Sequence, residues 1–283
     1  MNGVSVVVIT YRSDETIGAC LASIPPGTEV LVIDNASDDR SADLAASAGV
    51  RVIRNAENRG FAAAANQGVR ETSAPIVAFL NPDAELVDDC LERLADRLRQ
   101  QPDLAIAGPA TIESPSGPLV SFWPFPRAWR SWVIALGLHR LFGEPRLRNG
   151  FVVGTCMVMT RSWFERVGEF DEAFWLYGED ADLGWRALQA GGASAVVDGT
   201  AIRHVGGHSG AGSNETFDHF HRGTELFIAK HSGPASLASH RVAVLVGALV
   251  RVVALWPASR LRSRWFARLA RRELALLLRH PTT

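Results

Sequence analysis

The feature that most constrains this chain is the rhythm of its first hundred residues, where short β-rich runs alternate with helical patterns. Residues 4–10 are continuous in Val, Ser and Ile, which suits a strand covered on both faces. Residues 29–34, 50–54 and 76–81 are further strand-like runs. Helical patterns fill residues 14–23, 41–48 and 61–72, and a fourth, over 88–100, opens with paired aspartates and closes before Pro102. Such alternation predicts βαβ units, and hence an α/β fold with a mostly parallel central sheet and helices on both faces.

Sheets of this kind bind ligands beyond the carboxyl ends of their strands. Thr10 and Tyr11, Asp34 and Asn35, and Asn81-Pro82-Asp83 each close one of the predicted strands. Three polar clusters therefore share one sheet edge. A carboxylate there can hold a divalent cation against a diphosphate, because Mg²⁺ takes one or two carboxylates plus phosphate oxygens. Asn-Pro-Asp is also a turn-forming string in its own right. Asp34 can accept the imide N–H of uracil or thymine, with Asn35, Ser37 and Asp38 beside it as helix-capping residues.

A second acidic string, Glu179-Asp180-Ala181-Asp182, opens a predicted helix over 179–190. The helix dipole favours acids there by a few tenths to ~1 kcal/mol. One of them can also serve as the general base that takes a proton from an acceptor hydroxyl. The preceding residues 170–178 are aromatic and turn-forming, and Trp175 and Tyr177 suit a sugar-facing wall. His204 closes a strand-like run just before the Gly/Ser-rich segment 206–213, where it can ligate a metal or a phosphate. Residues 113–142, broken by four prolines and crowded with aromatics, read as irregular. Residues 152–160 read as one strand and 217–231 as a helix.

Composition narrows the function classes. The chain has 283 residues and a net charge of −1, enough for a full-sized core and no footprint for nucleic acid. Cys20, Cys90 and Cys156 are odd in number and widely spaced, as buried thiols in a reducing cytosol are. The start has no basic leader of the secretory kind. After the first strand Thr10-Tyr11-Arg12-Ser13 stands where a dinucleotide-binding turn needs its glycines, which speaks against an oxidoreductase.

Charge is uneven along the chain. From residue 240 onward there are nine arginines, and Glu273 is the only acid. Mixed with Leu, Val and Trp, this predicts amphipathic helices lying on an anionic membrane surface, or helices that pack within the protein or form a homodimer interface. The most apolar run, residues 242–256, is interrupted by Arg251 and ended by Pro257, short of the ~20 residues of a membrane span.

Seven segments, in this order, resemble the family-2 inverting glycosyltransferases with the GT-A fold, and within them the bacterial rhamnosyltransferase-like branch. They are Val6-Val7-Val8-Ile9-Thr10-Tyr11, Val32-Ile33-Asp34-Asn35-Ala36-Ser37, residues 58–68, Phe79-Leu80-Asn81-Pro82-Asp83-Ala84, residues 168–172, Tyr177-Gly178-Glu179-Asp180-Ala181-Asp182-Leu183, and His204. The likeness covers roughly residues 4–230. It implies a Rossmann-like GT-A domain over residues 1–235, with a nucleotide-binding half of about 1–110 and an acceptor half of about 111–235, followed by a basic helical region over 236–283.

The resemblance also implies roles. Thr10, Tyr11 and Asp34 would hold the nucleoside, and Arg59 would approach the base or diphosphate. Asn81 replaces the first aspartate of the family's D-x-D motif, leaving Asp83 to bind Mg²⁺ or Mn²⁺ with His204 completing the shell. Asp180 would be the base and Glu179 its neighbour, with Trp175 and Tyr177 facing the acceptor. The expected reaction moves L-rhamnose from dTDP-L-rhamnose to a hydroxyl of a cell-envelope glycan or polyprenyl-linked acceptor. It would run in the cytoplasm, at the inner face of the plasma membrane. The same mechanism with a UDP-sugar donor, and a catalytically silent nucleotide-sugar or glycan-binding module, are the alternatives.

Overall fold

The computed structural model describes residues 3–115, 117–138, 150–204, 214–255, 266–267 and 269–274. Four parallel strands, β1 (Val4–Thr10), β2 (Glu29–Asp34), β3 (Arg51–Arg54) and β4 (Ile76–Leu80), stand in the order β3-β2-β1-β4. They are joined by α1 (Ile17–Ala22), α2 (Ser41–Ser47) and α3 (Phe61–Arg70). The order reverses at β1, so the crevice beyond β1 and β4 is the topological switch point. Side chains alternate between two cores. Val4, Val6 and Val8 pack with Cys20, Leu91 and Leu94 on one face, while Val7 and Ile9 meet Ala62, Ala65, Val69 and Phe79 on the other. Burial on both faces is why β1 reads as an unbroken apolar run.

The sheet continues past β4 with changes of direction. β5 (Ala84–Leu86), α4 (Cys90–Gln100), β6 (Leu104–Glu113), β7 (Leu119–Val120), β8 (Phe122–Trp123), α5 (Ala128–Ala135), β9 (Phe151–Val152), β10 (Cys156–Thr160), α6 (Arg161–Arg166), α7 (Glu179–Gln189), β11 (Ala193–His204) and α8 (Asn214–Leu255) follow in that order. β10 runs antiparallel to both β4 and β6, β11 is parallel to β6, and β5 closes the far edge antiparallel to β11. The first four strands and their helices thus match the expectation, and the remainder makes the sheet mixed.

Differences in detail have local causes. β6 has no strand-like pattern, because Gly108 and Pro109 interrupt it. The missing N–H of Pro109 is tolerated because the β11 ladder shifts register between Val197 and Ala201, opposite it. The strand expected over residues 152–160 is two strands, β9 and β10, separated by a turn at residues 153–155. The helix expected over 217–231 runs on to Leu255, through a break at Gly233 (φ 78°) ahead of Pro234. Residues 128–135, expected to be irregular, form α5.

By internal contacts the chain divides into two compact units. Residues 1–125 and 148–223 contain the large sheet, its helices and the first turns of α8. Residues 126–147 and 224–283 contain α5 and the rest of α8. Within this second unit Trp132 Nε1 donates to Ser239 (3.1 Å), the Ser131 hydroxyl meets His240 Nδ1 (2.7 Å), and Arg241 pairs with Glu225 (3.0 Å).

Candidate active site

The parallel register places Thr10 directly beside Asp34. Both are buried, and Thr10 Oγ1 and Asp34 Oδ1 have no hydrogen-bond partner. An unsatisfied buried polar atom costs about 1–3 kcal/mol, so two on adjacent strand ends single out this edge of the sheet. The other Asp34 oxygen accepts from the Ser37 backbone (3.2 Å). Backbone turns shape this edge, with Arg12 and Ala36 in the left-handed region at φ 52° and 66°. Tyr11 is exposed, with the Arg12 guanidinium 5.2 Å from its ring centre.

Asn35, expected as a strand-end polar residue and a helix cap, is a strut. Its amide donates to Asn58 (2.8 Å) and to the Gly60 carbonyl (3.1 Å), and accepts from the Arg59 N–H (3.2 Å). The segment that precedes α3 is thereby tied to the end of β2. The Arg59 guanidinium itself lies 3.8 Å from Glu172, both half exposed.

Beyond β4 the Asn81 N–H donates to the Thr155 carbonyl (3.0 Å), and the Ala84 N–H closes a turn onto Asn81 (3.1 Å). This turn aims Asp83 at β11, where the antiparallel register sets His204 opposite Ala84. The outcome is a buried Asp83 carboxylate whose Oδ2 is 3.1 Å from His204 Nε2. One carboxylate and one imidazole fit a divalent cation that draws its remaining ligands from phosphate and water. Among the described residues no group of three His, Cys, Asp or Glu is gathered for a metal. The glycine-rich segment 206–213, with His208, lies outside the described residues.

Glu179 and Asp180 open α7 after two left-handed residues, Tyr177 (φ 66°) and Gly178 (φ 92°). Asp180 Oδ2 accepts from the Gly154 N–H (2.9 Å) and Oδ1 from its neighbour Ala181 (2.7 Å). Burial raises the Asp180 pKa, with these backbone N–H groups opposing the rise. Glu179 is buried with Oε2 unpartnered, and burial together with the Asp180 charge pushes its carboxyl well above the ordinary range. The Tyr177 phenol is raised by burial and then by Glu179, Asp83 and Asp180 in turn. Two acids next to it in the chain and one from the distant turn after β4 thus act on the same hydroxyl.

The aromatic wall has partners that the sequence did not disclose. The Trp175 carbonyl accepts from the Phe61 N–H (2.7 Å). A β-carbon on Gly60 would sit 2.7 Å from Trp175 Cδ1, so only glycine lets the indole lie against this turn. The indole also stacks on His219 of α8 at 4.7 Å, and Tyr177 meets Phe220 edge-on at 6.1 Å. Four residues further along, Gly223 packs its backbone on Tyr177, where any β-carbon would overlap the Tyr177 carbonyl. Its one sequence signal was a glycine inside a helical pattern, a placement that costs about 1 kcal/mol against alanine and asks for a reason.

Residues 5–168 match glycosyl transferase family 2, and residues 142–208 match the family described as the N-terminal domain of galactosyltransferase. A similar characterised protein is the N-acetylglucosaminyl-diphospho-decaprenol L-rhamnosyltransferase of Mycobacterium tuberculosis, 29% identical over 265 residues, which covers 81% of this chain and 85% of that one. Among solved structures, a mannosyltransferase from Pyrobaculum calidifontis in complex with GDP-Man and Mn²⁺ superposes with a TM-score of 0.56 at 17% identity, covering 98% of this chain and 87% of that one. Glucosyl-3-phosphoglycerate synthase from Mycobacterium tuberculosis, in complex with Mn²⁺, UDP and glucosyl-3-phosphoglycerate, does so with a TM-score of 0.57 at 19% identity, covering 82% and 81%. These two likenesses concern the fold.

Proposed function

The chain belongs to glycosyl transferase family 2, and from that premise we propose that it transfers L-rhamnose from dTDP-L-rhamnose, with inversion, to a hydroxyl of a polyprenyl-linked cell-envelope acceptor. The observation that carries the donor side is the pair of buried, unpartnered atoms Thr10 Oγ1 and Asp34 Oδ1. Asp34 accepts the N3–H of the pyrimidine, Thr10 bonds at the same edge, and Tyr11 and Arg59 flank the nucleotide. Asn81 lies at the diphosphate, and Asp83 with His204 would hold Mg²⁺ or Mn²⁺. A cation held by these two residues would supply charge neutralisation for the departing diphosphate.

On the acceptor side Asp180 takes the proton. The acceptor oxygen bonds to the anomeric carbon as the bond to the phosphate oxygen breaks, and the proton of the attacking hydroxyl passes to Asp180. Backbone donors on both Asp180 oxygens hold the carboxylate still for that step. Glu179 tunes the charge beside it, and Trp175 and Tyr177 line the acceptor. The nucleotide half falls at about residues 1–110, the acceptor half at about 111–235 and a basic helical region at 236–283. A polyprenyl acceptor is supported by the decaprenol-linked substrate in the name of the mycobacterial relative.

Asp34 accepts equally from thymine and uracil, so a UDP-hexose donor is the second reading. A panel of nucleotide sugars with Mn²⁺, read by thermal shift and then by transfer, tests both. Stabilisation by dTDP-L-rhamnose supports the proposal, stabilisation by a UDP-hexose alone moves the donor, and none with any pyrimidine nucleotide sugar overturns the site assignment. Donor binding with no transfer to any lipid-linked acceptor would leave a sugar-nucleotide binding module.

A further inference from the structure

In the unit formed by residues 126–147 and 224–283, α5 and α8 turn apolar side chains outward. Val242, Leu249, Val250 and Val253 of α8 are exposed, Val253 to 76%. They recur at i, i+7, i+8 and i+11, which is one stripe of a 3.6-residue helix. The packing side of α8 is the other one. Ala248 is buried there, Gly247 lies against Ala135 of α5, and the Arg251 guanidinium donates to the Gly247 and Ile134 carbonyls (2.9 Å each). Arg251 is the one charged residue between Val242 and Val253, and it is turned off the stripe. On α5, Trp129, Ile134 and, just past its end, Leu136 are exposed, Trp129 to 59%.

Charge separates between the same two parts of the chain. Residues 126–147 and 224–283 carry 14 basic and 3 acidic side chains, a net +11, while the rest carries 15 basic and 27 acidic, a net −12. An apolar stripe within a strongly basic unit fits an anionic bilayer, apolar inside and negative at its surface. It does not fit a second copy of the same unit, which would bring +11 against +11.

The mode of contact follows from length. By length and composition the helix Phe217–Val253 could cross a membrane, but Gly233 breaks it. Arg241 and Arg251 then leave nine uncharged residues between them, roughly 14 Å of helix against a core of about 30 Å. We propose that α5 and the last turns of α8 form a membrane-docking face that lies in the plane of an anionic bilayer, with aliphatic residues in the acyl boundary and arginines on the headgroups. This deepens the proposed function by naming the surface on which a lipid-linked acceptor is met. It rests on that reading for the acceptor alone.

The test is flotation of the purified 283-residue chain with phosphatidylcholine vesicles and with vesicles about one-third phosphatidylglycerol, without donor or acceptor. Flotation with the anionic vesicles is expected, together with binding about ten-fold weaker after Val250→Ser with Val253→Ser, a change that keeps the net charge. Circular dichroism of that variant should be unchanged, since both positions face outward. Absence of binding to anionic vesicles overturns the proposal, as does equal binding by the variant, which would make attachment purely electrostatic. A dimer in vesicle-free buffer that the variant dissolves would assign the stripe to a second copy and also overturn it. Failure of sugar transfer leaves the vesicle result standing, so the two readings fail separately.

Discussion

Asp180 accepts a hydrogen bond from the backbone N–H of Gly154 at 2.9 Å, and the next residue, Thr155, accepts one from Asn81 at 3.0 Å. Two consecutive residues in the turn between β9 and β10 therefore brace both acidic motifs, which lie about a hundred residues apart in the chain. The proposed base and the diphosphate end of the site are held by one piece of backbone.

Asp180→Asn removes the proton acceptor and keeps the shape. Transfer should fall by about 10²–10⁴-fold, with donor affinity, measured by calorimetry, nearly unchanged. A parallel loss of donor affinity would move Asp180 to the nucleotide side.

Glu179 sets a pH dependence for stability. Its folded pKa lies above its unfolded value, so its contribution is fully present at acid pH and is lost as pH rises through the folded pKa. Glu179→Gln should therefore raise the melting temperature at neutral pH, by about 2–4 °C for each kcal/mol recovered. The gain should shrink toward pH 4. Activity should fall in the same variant, because stability at this position is exchanged for function.

Asp34→Asn replaces an acceptor of the pyrimidine imide by an amide that can turn its own N–H there. Loss of one charged hydrogen bond predicts donor binding weaker by about 1.5–3 kcal/mol, read as the dissociation constant for the nucleoside diphosphate. Binding of a purine nucleotide should not change.

Asp83→Ala and His204→Ala should raise the Mn²⁺ concentration at which donor binding is half-maximal, more steeply for the carboxylate, which brings the charge. The smaller effect is expected at His204, which is neutral when it ligates. Equal donor affinity with and without Mn²⁺ in the wild type would remove the metal from the proposal.

Gly223→Ala should misplace the Tyr177–Gly178 turn, since its β-carbon would overlap the Tyr177 carbonyl. A displacement near 1 Å at the carboxylates proposed to be catalytic costs about 10²-fold in rate. The expected signature is a lower kcat with the donor dissociation constant retained and an unchanged circular dichroism spectrum.

Much of the sheet edge proposed for the donor was legible in the chain itself. The unbroken apolar run of β1 and the polar residues ending β1, β2 and β4 are local patterns, and a parallel sheet aligns such ends without help from distant residues. Edge pairing was not legible. β5 is three residues long and β6 carries Gly108 and Pro109, so neither has a strand's pattern, yet the β5–β11 ladder is what puts His204 on Asp83. Asn35 shows the same limit at a single residue, since a cap and a strut have the same side chain.

The sequence by itself determined the fold class, the polar strand ends at Thr10 and Asp34, and the existence of two acidic motifs, because alternating hydrophobicity and strand-end polarity are encoded within a few neighbouring residues. Only the tertiary structure decided how those motifs meet. The turn at residues 153–155, the antiparallel β5–β11 edge, and the stacking of His219 and Gly223 on the Trp175–Gly178 segment all join residues far apart in the chain. Such contacts are selected by packing and backbone hydrogen bonding in the assembled sheet, and no local pattern specifies them.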